Sequence, residues 1–332
     1  MIIARIGRTL LAANILNVCR KIAVAQCVTL QVTLSSRGKE GIWIMTIVKI
    51  VAPVTGAKHD EITLATAFQI AKLFSAYVEV LFIHRDPREA VQYSEMTLRP
   101  EIAQNMVDFE LEYQRVAAQN AQHNFARAAA EYDLSIVNAP SRQPRASASY
   151  REVTGHLAAV LAGAAILSDL VVIPPVIGGG GGDMHDALVR VLTKIGRPVL
   201  LSANEKPAHI GKKIAIGWDG RDAAAKALVA ALPILEKAET VEIFSVGALD
   251  ADGSSLAEAR EYLALHDINC VERAIELGSN SIAGALFDTA HESGCDLLVV
   301  GGYGHSRLVE SIFGGVTESI LSHASLPILM VH

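Results

Sequence analysis

The segment CDLLVVGGYGHSRLVESIFGGVTESIL, residues 295–321, decides how the chain is read. An apolar, β-like run empties into Gly301, Gly302 and Gly304. A mixed segment follows, then Gly314 and Gly315, then a helical pattern. Glycine gives up more backbone freedom on folding than any other residue. Five of them around one strand end mark a place where the backbone turns sharply or something approaches it closely.

Working outward, the same phrases occur twice. IVKIVAPVTG at 47–56 matches GKKIAIGWDG at 211–220, each a β-run closing on a turn glycine. Ala/Leu-rich helical patterns follow, EITLATAFQIAKLFSA and DAAAKALVAALPILEKA, and lead to YVEVLFIH and TVEIFSV. SDLVVIPPV answers CDLLVVGGY, and GRPVLLSAN answers SLPILMVH. Strands that alternate with helices and are apolar along their whole length form parallel sheets covered on both faces. The second half reads as strands at 213–218, 240–246, 269–275, 296–301 and 327–331, with helices at 221–238, 254–266, 280–293 and 316–324. The first half repeats this with a longer helical insertion over 100–131. The expected architecture is α/β: two tandem doubly wound, five-stranded parallel-sheet domains, 45–204 and 211–332, joined by the polar segment ANEKPAHIG.

The charge is uneven. Residues 1–44 hold six basic residues against Glu40 alone, a net +5, which leaves -11 of the total -6 for residues 45–332. This basic, apolar leader has the composition of a transit or export segment, but Arg20 and Lys21 split its apolar run. Met45 opens a clean strand, MTIVKIVAPV, and is the better candidate for a true start, with 1–44 outside the fold. The apolar stretch 157–177 is broken by Ser168-Asp169 and Pro174-Pro175, which suits a buried helix and strand rather than a membrane span. A net negative chain is a poor match for nucleic acid. Cys19, Cys27, Cys270 and Cys295 lack CxxC or Cys/His spacing, as expected of reduced thiols in a cytoplasmic protein.

In an open doubly wound sheet, ligands sit beyond the carboxyl ends of strands where the strand order reverses. Glycines at such an end let backbone N–H groups face a phosphate, and the helix beginning near Val316 adds a partial positive charge. There is no GxxxxGK[ST], and the Gly302-x-Gly304-x-x-Arg307 run fails the dinucleotide fingerprint at its third glycine. What is present is Gly301-x2-Gly304-x9-Gly314-Gly315-Val316-Thr317. This spacing resembles the G-2x-G-9x-G-S/T signature of nucleotide-binding universal stress proteins, the UspA superfamily, and the tandem layout resembles its two-domain members.

The resemblance covers about residues 46–332 and implies strand order 3-2-1-4-5, with a switch point between first and fourth strands. It implies a site for ATP or a related adenine nucleotide made by Asp219, Val246, Gly301, Gly304, Gly314, Gly315, Val316 and Thr317. Asp219 would meet the nucleoside end and Val246 the adenine. Gly315 stands where the family has Ser or Thr; Thr317 is the nearest hydroxyl. Any hydrolysis would call for Mg2+ on the phosphates, with Asp219 or Glu318 the carboxylates at hand. No general base or nucleophile accompanies the loop, so a binding protein of stress response or signalling is expected rather than an efficient enzyme. The alternative is a superfamily member that binds no nucleotide and works through protein contacts.

Family members pair their fifth strands across a two-fold axis, which implies that 197–202 and 327–331 meet inside this chain as a pseudo-dimer. Each site residue also has a plainer use: Asp219 as a helix cap, Gly314-Gly315 as a tight turn, Cys295 as a core thiol, and His305, Arg307 and His332 as bystanders. In the first half Thr55 replaces Asp219, and Gly178 to Gly182 lack the nine-residue spacer. Asp183 and Asp186 would compete with a phosphate for the next helix start. That half is expected to be degenerate as a site.

Overall fold

Asp169 and Asp296, the acids of the repeated SDL and CDL phrases, start the fold in each half. Asp169 Oδ2 accepts from the N–H groups of Val48 and Lys49 at 2.8 and 2.9 Å. Asp296 accepts from Gly211, Lys212 and Lys213. Each carboxylate fastens the beginning of its half's first strand to the beginning of its fourth. The computed structural model of the chain describes residues 46–86, 100–174, 182–247, 253–277, 281–302 and 326–332. Residues 45–332 make one unit, and the leader lies outside the described residues.

The strands are β1 (Lys49–Val54), β2 (Tyr77–His84), β3 (Ser135–Ile136), β4 (Ser147–Thr154), β5 (Leu170–Ile173), β6 (Val199–Leu201), β7 (Lys213–Gly217), β8 (Thr240–Val246), β9 (Cys270–Ile275), β10 (Leu297–Gly301) and β11 (Ile328–Val331). The helices are α1 (Asp60–Phe74), α2 (Pro100–Glu131), α3 (Leu157–Ala165), α4 (Asp183–Arg190, extended by a π-helical turn to Ile195), α5 (Asp222–Leu235), α6 (Leu256–Ala264) and α7 (Ile282–Glu292). The insertion expected over 100–131 is α2. The helix expected over 316–324 lies outside the described residues.

The strands form one sheet of order β3-β4-β2-β1-β5-β6-β11-β10-β7-β8-β9. The last strands of the halves, β6 and β11, pair antiparallel as expected, with Leu201 opposite Ile328 and Val199 opposite Met330, and so join the two halves into one sheet. Both are fully apolar and would otherwise be open edges. One strand corrects the expectation of five per half: β3 lies beyond β4, with Ser135 opposite Ser147; it is the short return from the inserted α2, too polar and too brief to stand out in the sequence. The other described ladders are parallel.

Alternate residues of the central strands, β1, β2, β5, β6, β7, β8, β10 and β11, feed two core layers that both run through the two halves, while the edge strands β3 and β9 are largely exposed. Ile50, Val78, Ile214 and Ile243 pack under α1, α2, α5 and α6 with Phe68, Phe125, Leu228 and Leu263. On the opposite face Val51, Leu81, Ala215 and Phe244 pack with Leu161, Leu188 and Leu286 of α3, α4 and α7. Burial on both faces is why these strands read as continuous apolar runs.

Candidate functional site

In the second half the order reverses between β7 and β10, which pair with Ile214 opposite Leu297 and Ile216 opposite Val299. Their carboxyl ends therefore sit side by side, with β8 next to β7. Past β7 the chain continues as Trp218-Asp219-Gly220. The Trp218 N–H donates to Phe244 O at 2.7 Å. Its indole is buried, and Nε1 donates to Ser254 O at 3.0 Å. Gly220, at φ +77°, accepts from the Ser254 N–H at 3.0 Å. A Cβ on Gly220 would lie 2.6 Å from Ser254 O, so only glycine fits. Ser255 then opens α6 through a reciprocal capping box with Glu258. The rim of the crevice is thus tied to the turn before α6.

Asp219 is half-buried on this rim, and its Oδ1 accepts from the Arg221 N–H at 3.0 Å. Arg221 is the N-cap of α5, which has no side-chain cap hydrogen bond of its own. The plainer use of Asp219 is therefore present in part: it orders the turn into α5, while remaining at the mouth. Val246 ends β8 half-buried, opposite Ile275, and Gly247 follows at φ +72°.

Gly301 answers one part of the question the glycines pose. A Cβ there would lie 2.5 Å from Ala223 C and 2.6 Å from Ala224 N. What approaches this glycine closely is the first turn of α5. Gly302 is held instead by its ends: its N–H donates to Val331 O at 2.6 Å, and His332 Nδ1 donates to its carbonyl at 3.0 Å. That partner of His332 had no signal in the sequence. Gly304, Gly314, Gly315, Val316 and Thr317 lie outside the described residues, as do His305, Arg307 and Glu318. Among the described site residues, then, the structure brings together Asp219, Val246 and Gly301 at adjoining strand ends.

Cys295 is buried ahead of β10, and burial pushes its thiol up to about 11, so it is a core thiol. No group of three or more His, Cys, Asp or Glu side chains that could hold a metal occurs among the described residues. Among them, no helix is long and apolar enough to cross a membrane.

The model of the Universal stress protein family matches residues 211–332. The matched residues, 211–332, form a domain of that family. No curated protein matches the chain. Among solved structures, a universal stress protein from Archaeoglobus fulgidus DSM 4304 superposes with a TM-score of 0.57 at 13% identity, over 85% of this chain and 95% of its own. That likeness extends the fold to both halves. A universal stress protein in complex with cAMP aligns at 20% identity over 36% of this chain and 97% of its own, with a TM-score of 0.28. A family protein from Burkholderia pseudomallei aligns at 24% identity over 38% and 98%, with a TM-score of 0.29.

Beside this universal stress protein domain, the first half has the same strand end but different chemistry. Thr55 and Gly56 occupy the places of Asp219 and Gly220, and Gly56 is again left-handed at φ +80°. Here the N–H groups of Thr55 and Gly56 donate to the carboxylate of Asp60 at 3.0 and 2.6 Å. Asp60 is 1% exposed. Burial pushes its pKa up, against the lowering effect of those bonds. Asp183 pairs with Arg85 at 2.8 Å on the first turn of α4. Gly178 to Gly181 lie outside the described residues, and Gly182 is the extended N-cap of α4.

Sequence comparison also passed over a repeated ion-pair cluster. The third residue of each second strand is a buried glutamate, Glu79 or Glu242. Glu79 holds Lys49 and Arg151 at 2.7 and 2.6 Å. Glu242 holds Lys213 and Arg273 at 3.0 and 3.2 Å. The signal was there, in YVEV against TVEI, one charge inside an otherwise apolar run.

Proposed function

We propose that the chain binds ATP or a related adenine nucleotide in its second half, as a cytoplasmic protein of stress response or signalling that does not turn its ligand over efficiently. The observation that carries this is the half-buried Asp219 at the strand-order reversal, beside the end of β10 from which the Gly301-x2-Gly304-x9-Gly314-Gly315 sequence continues. A carboxylate there is an acceptor for ribose hydroxyls, and a glycine-rich turn supplies N–H donors to phosphate. The decisive experiment is to denature natively purified chain and identify what it releases, then to titrate the emptied protein with ATP. One site per chain is expected. Asp219→Ala should weaken binding by about 1.5–3 kcal/mol, the scale for a charged hydrogen bond. No nucleotide released and no ATP heat would overturn the proposal.

A second reading, a member that works through protein contacts alone, is favoured by one observation: Gly301 is fully accounted for by the approach of α5. The same titration separates the two.

A further inference from the structure

On the face of the first-half sheet covered by α3, toward the amino ends of the strands, lies a cleft of about 660 Å³. Its size is that of a small-molecule site, and it is remote in the sequence from every residue of the proposed nucleotide site. Lys49, Glu79 and Arg151 line it. Two cations on one buried carboxylate leave one positive charge uncompensated among these lining groups. The Arg151 side chain is 54% exposed and uses one nitrogen on Glu79, so its guanidinium has further donors to offer. Tyr77 OH and Ser149 Oγ, 2.6 Å apart, add polar groups on the same floor.

The wall opposite is apolar. Ile166 and Leu167, at the end of α3, are 52% and 78% exposed and border the cleft. Gly163, inside α3, lines the cleft as well, and glycine is the poorest helix former after proline. Its φ is not left-handed, and a Cβ built on it meets nothing within 4 Å. No neighbour in the chain therefore requires the missing side chain, and the space it leaves opens on the cleft.

The second half shows which parts belong to the fold and which to the cleft. Its cluster of Lys213, Glu242 and Arg273 is the same. Thr240 and Val271, however, take the places of Tyr77 and Ser149 in the strand register. Aligning the buried Ala158, Leu161 and Ala165 of α3 with Ala283, Leu286 and Ala290 of α7 puts Asp288 in the place of Gly163. The ion pairs are common to both halves. The polar floor and the open helix face are features of the first.

We infer that this cleft binds a small organic monoanion, a carboxylate with a compact apolar body. The carboxylate lies on Arg151 beside Lys49, and the body fills the space over Gly163 against Ile166 and Leu167. The test is calorimetric titration of the full chain with 3-phenylpropanoate and, as its neutral twin, 3-phenylpropanamide. Saturable binding of the acid is expected, with the amide weaker by roughly tenfold or more, the scale of one charge-assisted hydrogen bond. Arg151→Met should weaken the acid to a similar degree. Gly163→Leu leaves every ion pair in place and should abolish binding while the melting temperature holds or rises. Absence of saturation by the acid in the millimolar range would overturn the inference. So would equal binding of acid and amide, which needs no variant, or unchanged binding by a folded Gly163→Leu.

Discussion

Gly301→Ala separates a glycine that serves the fold from one that serves a ligand. The added Cβ would lie 2.5 Å from Ala223 C and 2.6 Å from Ala224 N, both backbone atoms of the first turn of α5. Unstrained carbon contacts need about 3.5–4 Å, so α5 must retreat by on the order of 1 Å. Ala224, Ala227 and Leu228 of that helix are in the core layer against β7 and β10, and the retreat loosens all three. Overpacking a close-packed core costs about 1–3 kcal/mol, and with rigid backbone on both sides the upper end applies, near 3 kcal/mol. At about 2–4 °C per kcal/mol for chains of this class, the melting temperature should fall by roughly 6–12 °C. Gly302→Ala is the control, because the tightest contact of its Cβ would be the flexible tip of Met330, at 3.2 Å, with Val331 O and Met330 Cβ at ordinary distances of 3.6 and 3.8 Å, and it should cost about 0.5 kcal/mol or less. Differential scanning calorimetry without nucleotide reads both. A Gly301→Ala protein that melts with the wild type but no longer binds ATP would refute the packing account and return this glycine to the phosphate.

Asp296→Ala removes the acceptor of three backbone N–H groups, against two for Asp169→Ala. Each should destabilise by about 1.5–3 kcal/mol, the second-half variant more, in urea unfolding; the reverse order would show that contact number does not set the cost. Burial of Asp60 raises its folded pKa above the ordinary carboxylate value despite its backbone donors. A raised acid stabilises most while protonated, so its contribution is fullest below the ordinary pKa and declines as pH climbs through the raised one. The stability of wild type relative to Asp60→Asn should therefore fall across that acidic window, and a difference that grows with pH would contradict the burial account.

The strand-helix alternation, the repeat and the 100–131 insertion were all legible, because strands buried on both faces must be apolar throughout and turn glycines end them. The pairing of 197–202 with 327–331 was legible from the resemblance, and a single sheet follows from it. What could not be read was tertiary. Gly301 looks like a ligand glycine in one dimension, since nothing in its neighbours announces that residues 223 and 224 will lie across it. Glu79 and Glu242 look like interruptions until Lys49, Arg151, Lys213 and Arg273 arrive from other strands. Gly163 is unremarkable inside an Ala-rich run until its surroundings prove empty. In each case the missing information was which backbone or side chain arrives from a distant segment.

The two halves also show why a shared fold does not imply a shared site. At the end of β7 the chain presents Asp219, turned to the Arg221 N–H, and α5 begins two residues after Gly220. At the end of β1 the loop is two residues longer, and α1 begins at Asp60, four residues after Gly56. That added length lets a buried carboxylate fold back onto the N–H groups of Thr55 and Gly56. An incoming phosphate would have to displace Asp60 and leave it buried beside a like charge, a cost that grows steeply where solvent is excluded. Asp186, on the first turn of α4, adds charge of the same sign, while Asp183 beside it is paired with Arg85. The first half thus supplies its own anion at the place where, on the proposed reading, the second receives one, which is the physical ground for expecting one nucleotide, not two, per chain.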